Sequence, residues 1–188
     1  MPATRSPVGD WNAADAERGV RHPGWLKRVR LASKSHARAA LREAGATALG
    51  DDDEPRLRNL ADGLGAQLGL AHVDLYVYPE GGPNALAGRV ERPFVCVARS
   101  LLASYTRTEL EAIVAHCLVR RSEPARSWLP IGYSDDVRAA ALTRFPPALV
   151  SAITKAEPYT GRFAAFYLVA EGPTHRPTEA RAAALLDL

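Results

Sequence analysis

Leu101-Leu102-Ala103-Ser104-Tyr105-Thr106-Arg107-Thr108-Glu109-Leu110-Glu111-Ala112-Ile113-Val114-Ala115-His116-Cys117-Leu118-Val119-Arg120 is the stretch from which the fold can be read. Thr106 and Glu109 have the spacing of a capping box, in which the threonine oxygen accepts the free amides of a first helical turn and the glutamate reaches back. A helix from about Arg107 to Arg121 is predicted. Leu110, Ile113, Val114, Cys117 and Leu118 form its apolar stripe, so this helix is a core element.

Working outward, Arg56 to Leu68 reads as an amphipathic helix with Leu57, Leu60, Ala61, Leu64 and Leu68 on one face. Pro55 suits its first turn and Gly69 its end. The acids Asp51 to Glu54 stand where the N-terminus of that helix favours negative charge. Val73 to Tyr78 and Phe94 to Ala98 are predicted strands, separated by the turn Pro79 to Asn84. Downstream, Asp135 to Arg144, Pro147 to Ala156 and Pro177 to Leu186 read as helices. Phe163 to Val169 fits a short strand or an apolar loop. Helices, strands and helices again imply an α+β fold with a small mixed or antiparallel sheet.

The chain has 188 residues and 47% hydrophobic content, enough for a real core. Cys96 and Cys117 are its only cysteines, which excludes a disulfide scaffold and a multi-cysteine zinc module. The longest apolar run, Phe163 to Ala170, is too short to span a membrane. Residues 1–24 are polar, rich in proline and glycine, and lack an apolar leader core, so a flexible arm, no secretory signal and a cytoplasmic setting are expected. The net charge of +3 is unevenly spread. Residues 18–42 hold eight basic residues and no acid, among them Lys27, Arg28, Arg30, Lys34, Arg38 and Arg42. The domain reading is an arm over 1–24, a basic amphipathic helix and linker over 25–50, and a domain over 51–188.

The stretch ending in Ala115-His116 resembles the active-site helix of the HtpX-like zinc peptidases of the gluzincin clan. Four further pieces follow that family's order: Arg56 to Leu70, Leu75 to Tyr78 followed by Pro83-Asn84-Ala85-Leu86-Ala87, Asp136 with Leu142 to Leu149, and His175-Arg176-Pro177-Thr178-Glu179-Ala180-Arg181. The resemblance covers about residues 55–188 and implies a gluzincin-like fold with a small sheet packed on the active-site helix. It also implies an H-E-x-x-H motif, whose two histidines meet one zinc ion from successive helical turns. Here His116 matches the first histidine, Cys117 stands for the catalytic glutamate and Arg120 for the second histidine. The third-ligand position, four residues before Asp136, is Gly132. His175 matches the position that stabilises the oxyanion, and Arg181 the arginine six residues on. Asn84 and Ala85 match the edge segment along which a substrate strand lies.

One imidazole does not hold zinc, and a cation at Arg120 opposes a second one beside it. The expectation is therefore a pseudopeptidase with no metal and no cofactor. It would bind a protein or peptide partner, or a small ligand, through the former cleft or by strand addition at Asn84 and Ala85. A second reading is an enzyme with a repurposed, metal-free cleft using His175, His116 or Arg120. A third is an anion-, nucleic-acid- or membrane-surface-associated factor acting through the basic helix. Each residue also has a plainer reading. His116 is a helix histidine bonded to a carboxylate or carbonyl, and Cys117 and Cys96 are core cysteines. His175 and Arg181 dock the C-terminal helix, and the basic helix packs by its apolar face. For Arg120, a surface salt bridge and an anion-binding guanidinium stand level.

Overall fold

The reciprocal cap that opens the central helix is present: Thr106 N–H donates to Glu109 Oε2 at 2.8 Å, and Glu109 N–H reaches Thr106 Oγ1 at 3.3 Å. A computed structural model describes residues 24–79, 81–122 and 133–188 of the chain. Its element order is α1 (Gly24–Glu43), β1 (Thr47–Ala48), α2 (Pro55–Gln67), β2 (Asp74–Tyr78), β3 (Ala85–Arg89), β4 (Pro93–Ala98), α3 (Arg99–Ser104), α4 (Arg107–Ser122), α5 (Tyr133–Thr143), α6 (Pro146–Lys155) and α7 (Thr178–Leu186), with a 3-10 turn at Ala164–Phe166. The fold is α+β. Two compact units divide at residue 32, inside the span of α1. Of the first, the described part is the helical backbone of residues 24–32. The second, Ser33–Leu188, holds the sheet and the remaining helices.

The sheet is mixed, in the order β1-β2-β4-β3. β2 and β4 are parallel, while β1 pairs antiparallel with β2 and β3 with β4. All six residues of β4 are buried, as a strand with neighbours on both sides and layers on both faces must be. β1 and β3 are the sheet edges.

α4 is not a one-sided amphipathic helix. From Leu110 to Arg120 every residue but Glu111 is buried, because α2, α5 and α6 and the strands β3 and β4 all pack on it. Small side chains at Ala112 and Ala115 suit such close approach. α2 begins with Pro55 in its first turn and gives way to Gly69 at φ +68°, the left-handed geometry that favours glycine. The acids before it do not cap it: Glu54 makes no capping bond, and Asp53 accepts Gly50 N–H in the preceding turn instead.

The second half of α1 packs on the core through Ala37, Ala40 and Leu41. Its contact with the sheet is close. A Cβ on Gly88 of β3 would lie 2.4 Å from the Phe94 ring and 3.4 Å from Ala37 Cβ. Residues 47–48, read as linker, form β1, and Phe163 to Val169 is neither strand nor plain loop. It holds the 3-10 turn and then pairs once with β3, at Leu86 and Tyr167.

Candidate functional site

Four parts of the chain bring charged side chains into one buried cluster. α4 supplies His116 and Arg120, one turn apart on the same face. α5 supplies Asp135 and Asp136 in its first turn, where carboxylates complement the helix dipole. α7 supplies Arg181, and the loop before it His175. All six are buried, with Arg181 fully enclosed. Adjacent residues on a helix diverge, so the two aspartates serve different partners.

Asp136 accepts two 2.8 Å hydrogen bonds from Arg181, from Nε to Oδ2 and from Nη2 to Oδ1. Arg181 Nη1 donates to the Leu168 carbonyl at 2.8 Å. Burial pushes the Asp136 carboxyl up, but the Arg181 hydrogen bonds and His116 more than offset it, holding it well below the usual carboxylate range. His116 Nε2 lies 3.2 Å from Asp136 Oδ1, an ion-pair distance, but the alignment is not that of a hydrogen bond. Asp135 accepts from Arg120 Nη1 at 3.1 Å, and Arg120 Nη2 makes a long 3.5 Å contact with the Ala165 carbonyl. His175 bonds the Tyr167 carbonyl through Nε2 at 2.8 Å and Thr174 Oγ1 through Nδ1 at 3.0 Å. Burial drives its pKa down to about 4, with Arg181 and Arg120 adding to the effect, so the ring is neutral near pH 7 and Nε2 carries the donated proton.

The cluster therefore joins His116, Arg120, Asp136, His175 and Arg181. Gly132 lies outside the described residues. Cys117 and Cys96 form no disulfide and are buried in the apolar core, and burial pushes the Cys96 thiol well above its ordinary range. Arg120 is corrected in one respect: its salt bridge is buried rather than on the surface. Asp135, its partner, was not identified from sequence as a site residue. The carbonyls of Ala165, Tyr167 and Leu168 were also missed, although the apolar run that holds them was visible.

The edge segment is corrected too. Asn84 and Ala85 are buried and their polar groups are already used within the chain. Asn84 Nδ2 donates to the carbonyls of Glu157 and Val169, both at 2.7 Å, and Ala85 N–H donates to Asn84 Oδ1. The Ala85 carbonyl accepts Leu168 N–H at 2.8 Å. As the fold stands, no strand can add there. On α1, Lys34 and Arg38 both pair with Glu91, at 2.9 and 3.2 Å, and Arg42 is exposed. The side chains of Lys27, Arg28 and Arg30 lie outside the described residues.

Among the described residues, the side chains of the cluster do not fit a zinc ion. A structural or catalytic zinc site needs at least three side-chain ligands. Among the described residues no three histidine, cysteine or acidic side chains stand close enough to hold a metal. His116 Nε2 is a buried nitrogen without a hydrogen-bond partner, but the residue one turn on is a cation, and the nearest carboxylate is held at both oxygens by Arg181.

Among curated proteins, a chain described as a protease HtpX homologue from Gemmatimonas aurantiaca is 35% identical to this one over 78 residues. The match covers 40% of this chain and 28% of that protein. Over that stretch the chain is similar to an HtpX protease homologue. The aligned part is a minor share of the relative's length, and no family model matches the chain. Among the described residues no helix is long and apolar enough to cross a membrane.

Proposed function

We propose that this chain is a metallopeptidase homologue without zinc chemistry, a pseudopeptidase that acts by binding a peptide or protein partner at the former active-site cleft. The observation that carries the reading is Arg120. It stands one turn after His116, where the resemblance expects a second histidine, and its guanidinium is buried against Asp135. A fixed positive charge there supports the loss of the metal and supplies the countercharge the site would otherwise lack. Cys117 at the next position after His116 offers no carboxylate to activate water.

The likeness to an HtpX protease homologue supports a peptidase ancestry. The reading in which the basic helix binds nucleic acid or a membrane draws less support, since Lys34 and Arg38 are paired with Glu91.

The test is a peptidase assay of the purified chain on unfolded casein and a mixed peptide library, with added zinc and with a chelator. The proposal expects no cleavage in either condition. Cleavage that zinc restores and the chelator abolishes would overturn it.

A further inference from the structure

Tyr159 and Tyr167 lie face to face, with ring planes 5° apart in angle and centroids 3.9 Å apart. That is closer than the separation of about 4.5–7 Å at which aromatic pairs ordinarily settle, offset or edge to face. Main-chain pairing holds both residues. Tyr159 N–H donates to the Val169 carbonyl at 3.2 Å, the Tyr159 carbonyl accepts Glu171 N–H at 3.0 Å, and Tyr167 is bridged to Leu86 of β3. The stack is therefore part of the folded frame.

The Tyr159 hydroxyl also has a proton acceptor. It donates to Glu43 Oε1 at 2.5 Å, the short end of the range for a hydroxyl on a carboxylate. A Cβ on Gly161 would overlap that hydroxyl, so glycine leaves the phenol its seat against Glu43. Glu43 is exposed and Tyr159 half-buried, whereas Tyr167 is buried. An oxidant in solution meets the pair through Tyr159. Tyr105, by contrast, donates to the Ala152 carbonyl, which takes no proton. Cys96 and Cys117 are buried, out of an oxidant's direct reach.

We infer that Tyr159 and Tyr167 form an oxidative modification site, which one-electron oxidants convert to an intrachain dityrosine link with Glu43 as the first proton acceptor. Two equivalents of oxidant each take one electron. Each ring gives up its phenol proton, that of Tyr159 to Glu43, and both protons end in solvent. The two phenoxyl radicals join by a carbon–carbon bond between positions ortho to the oxygens. The hydrogen on each of those carbons then moves to the oxygen of its ring, which restores the phenols. The chain has lost two electrons and two protons and gained one covalent bond. Alignment of the rings beforehand favours coupling within the pair over coupling between molecules. The site depends neither on peptide binding nor on the loss of zinc chemistry.

The test exposes the whole chain, at low concentration, to light with tris(bipyridine)ruthenium and persulfate as the source of one-electron oxidant. Monomer mass, dityrosine fluorescence and mapping of linked peptides are the readouts. The expected product is a monomer short of two hydrogens, with its link between Tyr159 and Tyr167. Tyr159→Phe and Tyr167→Phe keep the rings, and each should abolish the link. Glu43→Gln keeps a hydrogen-bond acceptor but no base, and should slow linking several-fold. Arg162→Gln removes the ion pair to the same carboxylate and should leave the rate unchanged. Links confined to other tyrosines or formed only between molecules would overturn the inference, as would oxygen addition in place of hydrogen loss. So would an unchanged rate in Glu43→Gln, or an equal fall in Arg162→Gln.

Discussion

Arg181 and Asp136 meet through two parallel 2.8 Å hydrogen bonds, with one side chain fully enclosed and the other 1% exposed. The pair ties α7 to α5 at the centre of the cluster, and Arg181 extends the tie to the Leu168 carbonyl. Replacing one member leaves an uncompensated buried charge. Arg181→Met or Asp136→Leu alone is expected to cost about 3–5 kcal/mol in urea unfolding. The double variant should recover a large part of that loss, since an apolar pair of similar volume carries no desolvation penalty. Additive losses in the double variant would contradict the pairing.

Stability should fall on the acid side in two stages. His175 protonates at about pH 4 in the fold against 6.5 ordinarily. Between those values the unfolded chain binds more protons, so this contribution is complete above pH 6.5 and is lost as the pH falls toward 4. Asp136 is held below its ordinary 3.8, so its contribution is present above that pH and is lost only further into acid. His175→Gln should flatten the pH dependence of the unfolding midpoint between 6.5 and 4 and leave the more acidic limb in place.

Asn84 satisfies the carbonyls of Glu157 and Val169 and the Ala85 amide with one side chain. Leaving a buried polar group unpaired costs about 1–3 kcal/mol, so Asn84→Ala should lose more than about 2 kcal/mol in chemical denaturation. The loss should be accompanied by faster amide exchange at Leu168, because the Val169 anchor goes with it.

Gly88 permits the close approach of α1 to the sheet. A methyl group there would push into the Phe94 ring, which is fully buried and has little room to move. Gly88→Ala should therefore cost about 1–3 kcal/mol, as overpacking does. Calorimetry reads it directly, and a neutral result would mean that the Phe94 ring can move aside without loss.

The regular elements were legible because their signals are local. The box at Thr106 and Glu109, Pro55 and the left-handed Gly69 each act within one turn, and the helices they bound lie within a residue or two of the expected spans. The sheet was legible only in part. β1 has two residues, too few to show any alternation, and the pairing that makes it a strand comes from β2. β3 was marked by the resemblance of Pro83 to Ala87 to an edge segment rather than by its own Ala-Leu-Ala-Gly-Arg pattern.

The site divided in the same way. His116, Arg120, Asp136, His175 and Arg181 were named from the motif they resemble, and they do come together. Asp135 as the partner of Arg120 depends on how α5 docks on α4, and the seat of Tyr167 and Leu168 against β3 depends on contacts with Leu86 and Ala85, far away in the chain. No residue pattern near either one encodes those long-range placements.

Isothermal titration of zinc into the purified, chelator-stripped chain at neutral pH tests the central claim, that paired charges stand where a metal centre would be. A working zinc site binds far below about 1 µM, as its ligand count requires. The paired charges predict no stoichiometric binding tighter than about 10 µM, and no upward shift of the unfolding midpoint with added zinc. One equivalent bound at submicromolar affinity, with the midpoint raised, would contradict that claim.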